Sequence, residues 1–110
     1  MNNFKFKING HTWKVQIKSR EEMLRIYELI HKNAEDCFGL TLRQYNMIYI
    51  NENLCEEEKI KTLKHELVHC FIWEMGFAYV DFNNEELVCD FVATINDFIN
   101  KVLKEGKLWQ

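Results

Sequence analysis

The chain reads as an α+β domain, and three observations carry that reading. Apolar residues alternate with polar ones on both sides of Asn9-Gly10. Apolar residues then recur at helical spacing in three later stretches. Between the first two of these lie two short runs of strand character, around Leu40-Thr41-Leu42 and Met47-Ile48-Tyr49-Ile50. With 110 residues, 47% hydrophobic and 14% aromatic, the chain has the length of one domain and enough apolar material for one packed core. Residues 1–110 are therefore expected to form a single unit. Proline is absent and no linker or repeat interrupts the chain.

Composition excludes several function classes. A formal net charge of -3 leaves no basic footprint for nucleic acid. No apolar run approaches the roughly 20 residues of a membrane span. The first ten residues alternate Phe with Lys and lack the apolar block of a signal peptide, so a cytoplasmic location is expected. The cysteines, Cys37, Cys55, Cys70 and Cys89, form no C-x-x-C pair. Reduced, half-buried thiols are the expectation.

Taken in order, Phe4, Phe6 and Ile8 alternate with Lys5 and Lys7, and Trp13, Val15 and Ile17 alternate with Lys14, Gln16 and Lys18. Asn-Gly between two such runs marks a hairpin, because both turn positions need positive φ. Ser19 reads as an N-cap, with Glu22 completing a capping box. Met23, Ile26, Tyr27, Ile30 and Ala34 then predict a helix ending near Asn33 or Ala34. The runs at Leu40–Leu42 and Met47–Ile50 predict two strands joined by a turn over Arg43 to Asn46, the second strand more buried than the first. The Met47–Ile50 strand, just before the next helix, is the one expected to offer an exposed edge to extended substrate backbone.

Asn53, three residues before Glu56, is the expected cap of that next helix. Glu56, Glu57 and Glu58 suit its first turn, where the helix dipole favours negative charge. Ile60, Leu63, Leu67 and Phe71 form its apolar stripe, with Cys70 beside them and Gly76 as the stop. After the apolar link Phe77 to Phe82, Asn83 or Asn84 caps a last long helix. Its expected stripe is Val88, Phe91, Val92, Ile95, Phe98, Ile99 and Val102. The tail to Gln110 either frays or docks through Trp109.

The chemistry lies on the middle helix, in His65-Glu66-Leu67-Val68-His69. Residues four apart on a helix share one face, so His65 and His69 can offer two imidazole nitrogens to one metal ion. Both project nearly opposite the apolar stripe. Glu66 is one step round the helix and can reach a water on that metal. Two such histidines with a Glu general base form the zinc metallopeptidase signature. Catalytic zinc takes three protein ligands and leaves one position for water. His11 and His31 lie upstream, and His31 reads as a surface group near a helix end. Downstream, Glu85, Glu86 and Asp90 open the last helix. Glu86 and Asp90 are four apart, so one could bind zinc while the other orients a ligand histidine.

His65-Glu66-Leu67-Val68-His69 followed by Glu86-Leu87-Val88-Cys89-Asp90 resembles the gluzincin pattern, H-E-x-x-H followed by E-x-x-x-D. The stretch Leu63 to Ala93 is similar to small metallopeptidase domains of phages and mobile elements of the ImmA/IrrE group, and to the minigluzincins. The resemblance implies a minimal zincin-like domain in which Glu86 is the third zinc ligand and Asp90 supports a histidine, with Glu85 the rival for Glu86. It implies Zn2+ as cofactor and a protein or peptide substrate.

The expected reaction is peptide hydrolysis, with zinc lowering the pKa of its water to around 7 and Glu66 taking the proton. Tyr79 and Tyr49 are candidates, by location, to stabilise the oxyanion. A second expectation is a latent zinc-binding regulatory module, since the chain lacks the further subdomain that walls the cleft in larger gluzincins. A third is a metal-free interaction domain. The oligomeric state is open, with a homodimer as one arrangement.

Overall fold

Asn9 and Gly10 both adopt positive φ, 51° and 79°, and turn the chain back on itself as the first hairpin requires. The structure, a computed structural model, describes residues 1–29, 38–77 and 81–108. The hairpin strands are β1 (Phe4–Ile8) and β2 (His11–Lys18). Helix α1 (Arg20–Leu29) follows, then β3 (Gly39–Leu42), a single 3-10 turn (Arg43–Tyr45) and β4 (Met47–Asn51). Two long helices complete the chain, α2 (Glu56–Glu74) and α3 (Glu85–Glu105). The fold is α+β, as the patterning implies. The continuation of α1 past Leu29, with Ile30, His31, Ala34 and Cys37, lies outside the described residues, as do Tyr79 and Trp109.

The four strands form one mixed sheet in the order β1-β2-β4-β3. β1 and β2 pair antiparallel, β2 and β4 parallel, and β3 and β4 antiparallel. This corrects the expectation for Met47–Ile50: β4 is an inner strand, and β3 is the outer one. The reason is burial. Ile48 and Ile50 are fully buried, so β4 gains most from a neighbour on each side.

Strand alternation then assigns the faces. Ile48 and Ile50, with Phe6, Trp13 and Val15, pack on Leu63, Leu67 and Phe71 of α2 and on Phe91, Ile95, Val102 and Leu103 of α3. On the opposite face Leu40 and Leu42 of β3 meet Met23 and Tyr27 of α1, with Met47 and Tyr49 against them. The other residues of β3, Gly39 and Thr41, therefore face α2.

The helix ends follow local chemistry, with one exception. The backbone N–H of Glu22 donates to Ser19 Oγ at 3.2 Å, while the backbone N–H and hydroxyl of Ser19 donate to Glu22 Oε1 at 3.3 and 3.1 Å. These bonds, the backbone one foremost, hold the Glu22 carboxyl below its ordinary range. Asn84 caps α3, its side chain accepting from the backbone N–H of Leu87 at 3.3 Å. Gly76, at φ 76°, terminates α2. The exception is Asn53, which does not cap α2. α2 begins at Glu56, so the cap position falls to Cys55, which makes no side-chain capping bond, and Asn53 lies two residues before it with its N–H donating to Asn51 Oδ1 at 2.9 Å.

Two burial expectations also change. Val92 is 55% exposed, because one residue beyond Phe91 turns it out of the packed face, and Leu103 joins that face instead. Among the thiols, Cys70 is buried but Cys55 and Cys89 are exposed. Burial, then the nearby Glu74 carboxylate, pushes the Cys70 thiol pKa far up, so it stays a protonated core group. No helix among the described residues is long and apolar enough to cross a membrane.

Candidate metal centre

Helix α2 carries the site because its two sides do different work. One side, Leu63, Leu67, Cys70 and Phe71, is sealed in the core. Roughly half a turn away, at about 100° per residue, stand His65 and His69. Their ring centroids are 5.0 Å apart and their planes cross at 74°. The His65 side chain is 70% exposed, so it opens to solvent rather than serving the core.

Glu66 lies between these environments and is only 7% exposed. The hydroxyl of Thr41 sits 3.0 Å from Glu66 Oε1 and 3.2 Å from the Glu66 backbone carbonyl. The other carboxylate oxygen, Oε2, is 4.0 Å from His65 Nε2. A buried carboxylate tied on one oxygen keeps a defined direction, and here the free oxygen points toward the imidazole.

The site opens into a cleft of about 570 Å³, lined by Tyr27, residues 39–45, His65, Glu66 and His69. One wall is α2 and the other is β3 with its turn. A second cavity of about 300 Å³ continues past Gly39 along α2, bounded by Phe38, Glu58, Lys61 and Thr62. His65 and Glu66 border both, so they stand midway along one groove. Gly39 permits the closeness of its walls. A Cβ there would meet Thr62 Cγ2 at 2.6 Å and Glu66 Cγ at 3.1 Å.

His65, Glu66 and His69 thus come together as their spacing implies. Glu86 and Asp90 do not join them. Both are exposed on the first turns of α3. At about 100° per residue they fall well over a quarter turn from the Phe91–Ile95–Val102 face, which is the face α3 turns to the core. That face meets α2 through Phe71, whose ring lies 5.9 Å from Phe91 and 5.4 Å from Phe98. The contact is on the side of α2 remote from the histidines. Glu85 is likewise exposed at the start of α3. Among the described residues no group of three or more His, Cys, Asp or Glu side chains is arranged to hold a metal. The donor chemistry here fits zinc for two ligands, His65 and His69.

Two other candidates have different places. His11 Nδ1 lies 2.7 Å from Glu74 Oε2, and Trp13 Nε1 donates to Glu74 Oε1 at 2.9 Å. His11 therefore ties the hairpin to the end of α2. Tyr49 belongs to the α1 side of the sheet, with the Lys18 ammonium 5.6 Å from its ring centroid. The tyrosines of the cleft are Tyr27, whose hydroxyl donates to the Gly39 carbonyl at 2.9 Å, and the exposed Tyr45.

Thr41 and Gly39 are candidate functional positions that the residue pattern alone does not mark. Their signal was faint: they are the small and polar members of the Gly39-Leu40-Thr41-Leu42 alternation, and only the pairing of strands says which face is which.

Comparison with family models, with curated proteins and with solved structures finds no match to this chain.

Proposed function

We propose that this chain is a zinc-dependent peptidase that hydrolyses a peptide bond in a protein or peptide substrate. One observation carries the reading: the exposed His65–His69 pair and the tethered Glu66 carboxylate share a cleft with the outer strand β3. The resemblance of the H-E-x-x-H stretch to small gluzincin-like domains agrees with it.

His65 and His69 would hold the ion. Zinc bound there supplies Lewis-acid chemistry, polarising a carbonyl and making water more acidic. Glu66 is the proton acceptor for the attacking water and returns that proton to the leaving amine. Thr41 holds the carboxylate in place through one oxygen and leaves the other free. β3, like β1, is an edge strand among the described strands, and backbone groups on its outer side, apart from the Gly39 carbonyl that accepts from Tyr27, can take an extended peptide as a further strand. That aligns the scissile bond beside Glu66.

The test is turnover of a mixed peptide pool by the zinc-loaded chain. Cleavage lost on chelation and in Glu66→Gln supports the reading, and cleavage indifferent to both overturns it. A second reading is favoured by the two-ligand donor set. It is a zinc-binding regulatory or interaction module that is catalytically latent. A Tm that rises with zinc, with no turnover in the same preparation, would select it.

A further inference from the structure

The groove has a charged end. Trp73 follows His69 by four residues and His65 by eight, so all three rings lie on one face of α2. The guanidinium of Arg43 lies over the Trp73 ring, its Cζ 5.1 Å from the centroid. Arg43 lines the same cleft as His65, Glu66 and His69. It opens the 3-10 turn after β3, which closes at Asn46 with φ 50°.

No carboxylate among the described residues pairs with Arg43. Glu74, next in sequence to Trp73, is already committed to His11 and Trp13. A guanidinium held over an indole face is anchored without using its N–H edge. That edge offers two parallel donors, which match the two oxygens of a carboxylate.

We propose that Arg43 is a specificity-determining residue that binds a carboxylate of the peptide lying in the cleft. The carboxylate is an Asp or Glu side chain or a free C-terminus. Its place follows from the helix. At about 1.5 Å per residue, Trp73 lies about 9 Å beyond the midpoint of His65 and His69. An extended peptide at about 3.3 Å per residue spans that distance in about two to three residues. This inference rests on the peptidase reading for the bond that is cut, but not for the binding of the carboxylate.

The test has two arms. In the first, the zinc-loaded chain digests a peptide pool, with free and amidated C-termini in parallel, and products are sequenced by mass spectrometry. Cut sites should carry Asp, Glu or the free C-terminus at one fixed position about two or three residues away. The enrichment over Asn, Gln or the amide should be about tenfold, as for a charge-assisted hydrogen bond. Amidation removes the enrichment only if the C-terminus is the ligand. The preference should vanish in Arg43→Gln and survive in part in Arg43→Lys. Cut sites indifferent to carboxylates overturn the proposal.

The second arm needs no turnover. Fluorescent decapeptide pools differing only in Glu against Gln, or in free against amidated ends, are titrated into zinc-loaded Glu66→Gln and into Arg43→Gln/Glu66→Gln. Tighter binding of the acidic pool that disappears in the double variant sustains the carboxylate site even if the wild type cuts nothing, in which case the peptidase reading fails alone. Equal binding of both pools overturns the proposal.

Discussion

The hydroxyl of Thr41 on β3 and the carboxylate of Glu66 on α2 meet at 3.0 Å, joining the outer strand to the catalytic candidate of the helix. Thr41→Val keeps the branched shape a strand prefers but removes the donor. Turnover should fall by about tenfold, the worth of one lost hydrogen bond to a charged group. KM should stay close to wild type, and Tm should fall modestly because a buried Glu66 oxygen loses its donor. Steady-state kinetics decide this: a rise in KM with kcat unchanged would show that Thr41 contacts substrate instead.

Gly39 sets the distance between the same two elements. Its Cβ position lies 2.6 Å from Thr62 Cγ2 and 3.2 Å from the Tyr49 carbonyl oxygen. Thr62 is buried and β-branched, so its methyl cannot swing aside freely. Gly39→Ala should destabilise the chain by about 1–3 kcal/mol, the usual cost of overpacking. Adding Thr62→Ala, which removes the methyl, should recover part of that loss. Urea melts of the single and double variants would reveal a wrong assignment as simple additivity.

Glu74 is 4% exposed at its side chain and satisfies the indole N–H of the fully buried Trp13. Glu74→Ala strands that donor in the core and frees His11. A loss of about 3 kcal/mol is expected. Zinc affinity should not change, because His65 and His69 lie on another part of α2. Isothermal titration with zinc, beside a denaturant melt, separates these effects, and a large fall in affinity would contradict the separation drawn here.

The capping box gives a pH dependence of known sign. The Glu22 carboxyl is held below its ordinary value by its bonds from Ser19. A carboxyl lowered in the folded state adds stability above its unfolded pKa, and loses it as the pH falls through the folded value. Ser19→Ala should therefore lower the Tm by several degrees at pH 7 and by less at pH 3. An equal Tm difference at both pH values would mean that the ionised Glu22 contributes nothing.

Much of the site was legible because its geometry is local. His65 and His69 share a face by helical periodicity alone, and Glu66 accompanies them by being adjacent. Asn9-Gly10, the Ser19–Glu22 box and the Gly76 stop are likewise decided within a few residues. Asn53 shows the limit of such reading. A three-residue spacing to Glu56 looks like a cap, but α2 begins at Glu56 itself, which leaves Asn53 two residues ahead of the cap position at Cys55.

What the sequence by itself determined was therefore the element set and the histidine pair, because each depends on contacts within one turn or one hairpin. The tertiary structure alone decided that β3 rather than β4 is outermost, that Thr41 and Gly39 face α2, and that Arg43 reaches Trp73. It also carries Glu86 and Asp90 away from the histidines. These outcomes depend on which strands give the greatest joint burial and on which sides two helices pack, sums over distant residues that no local spacing contains.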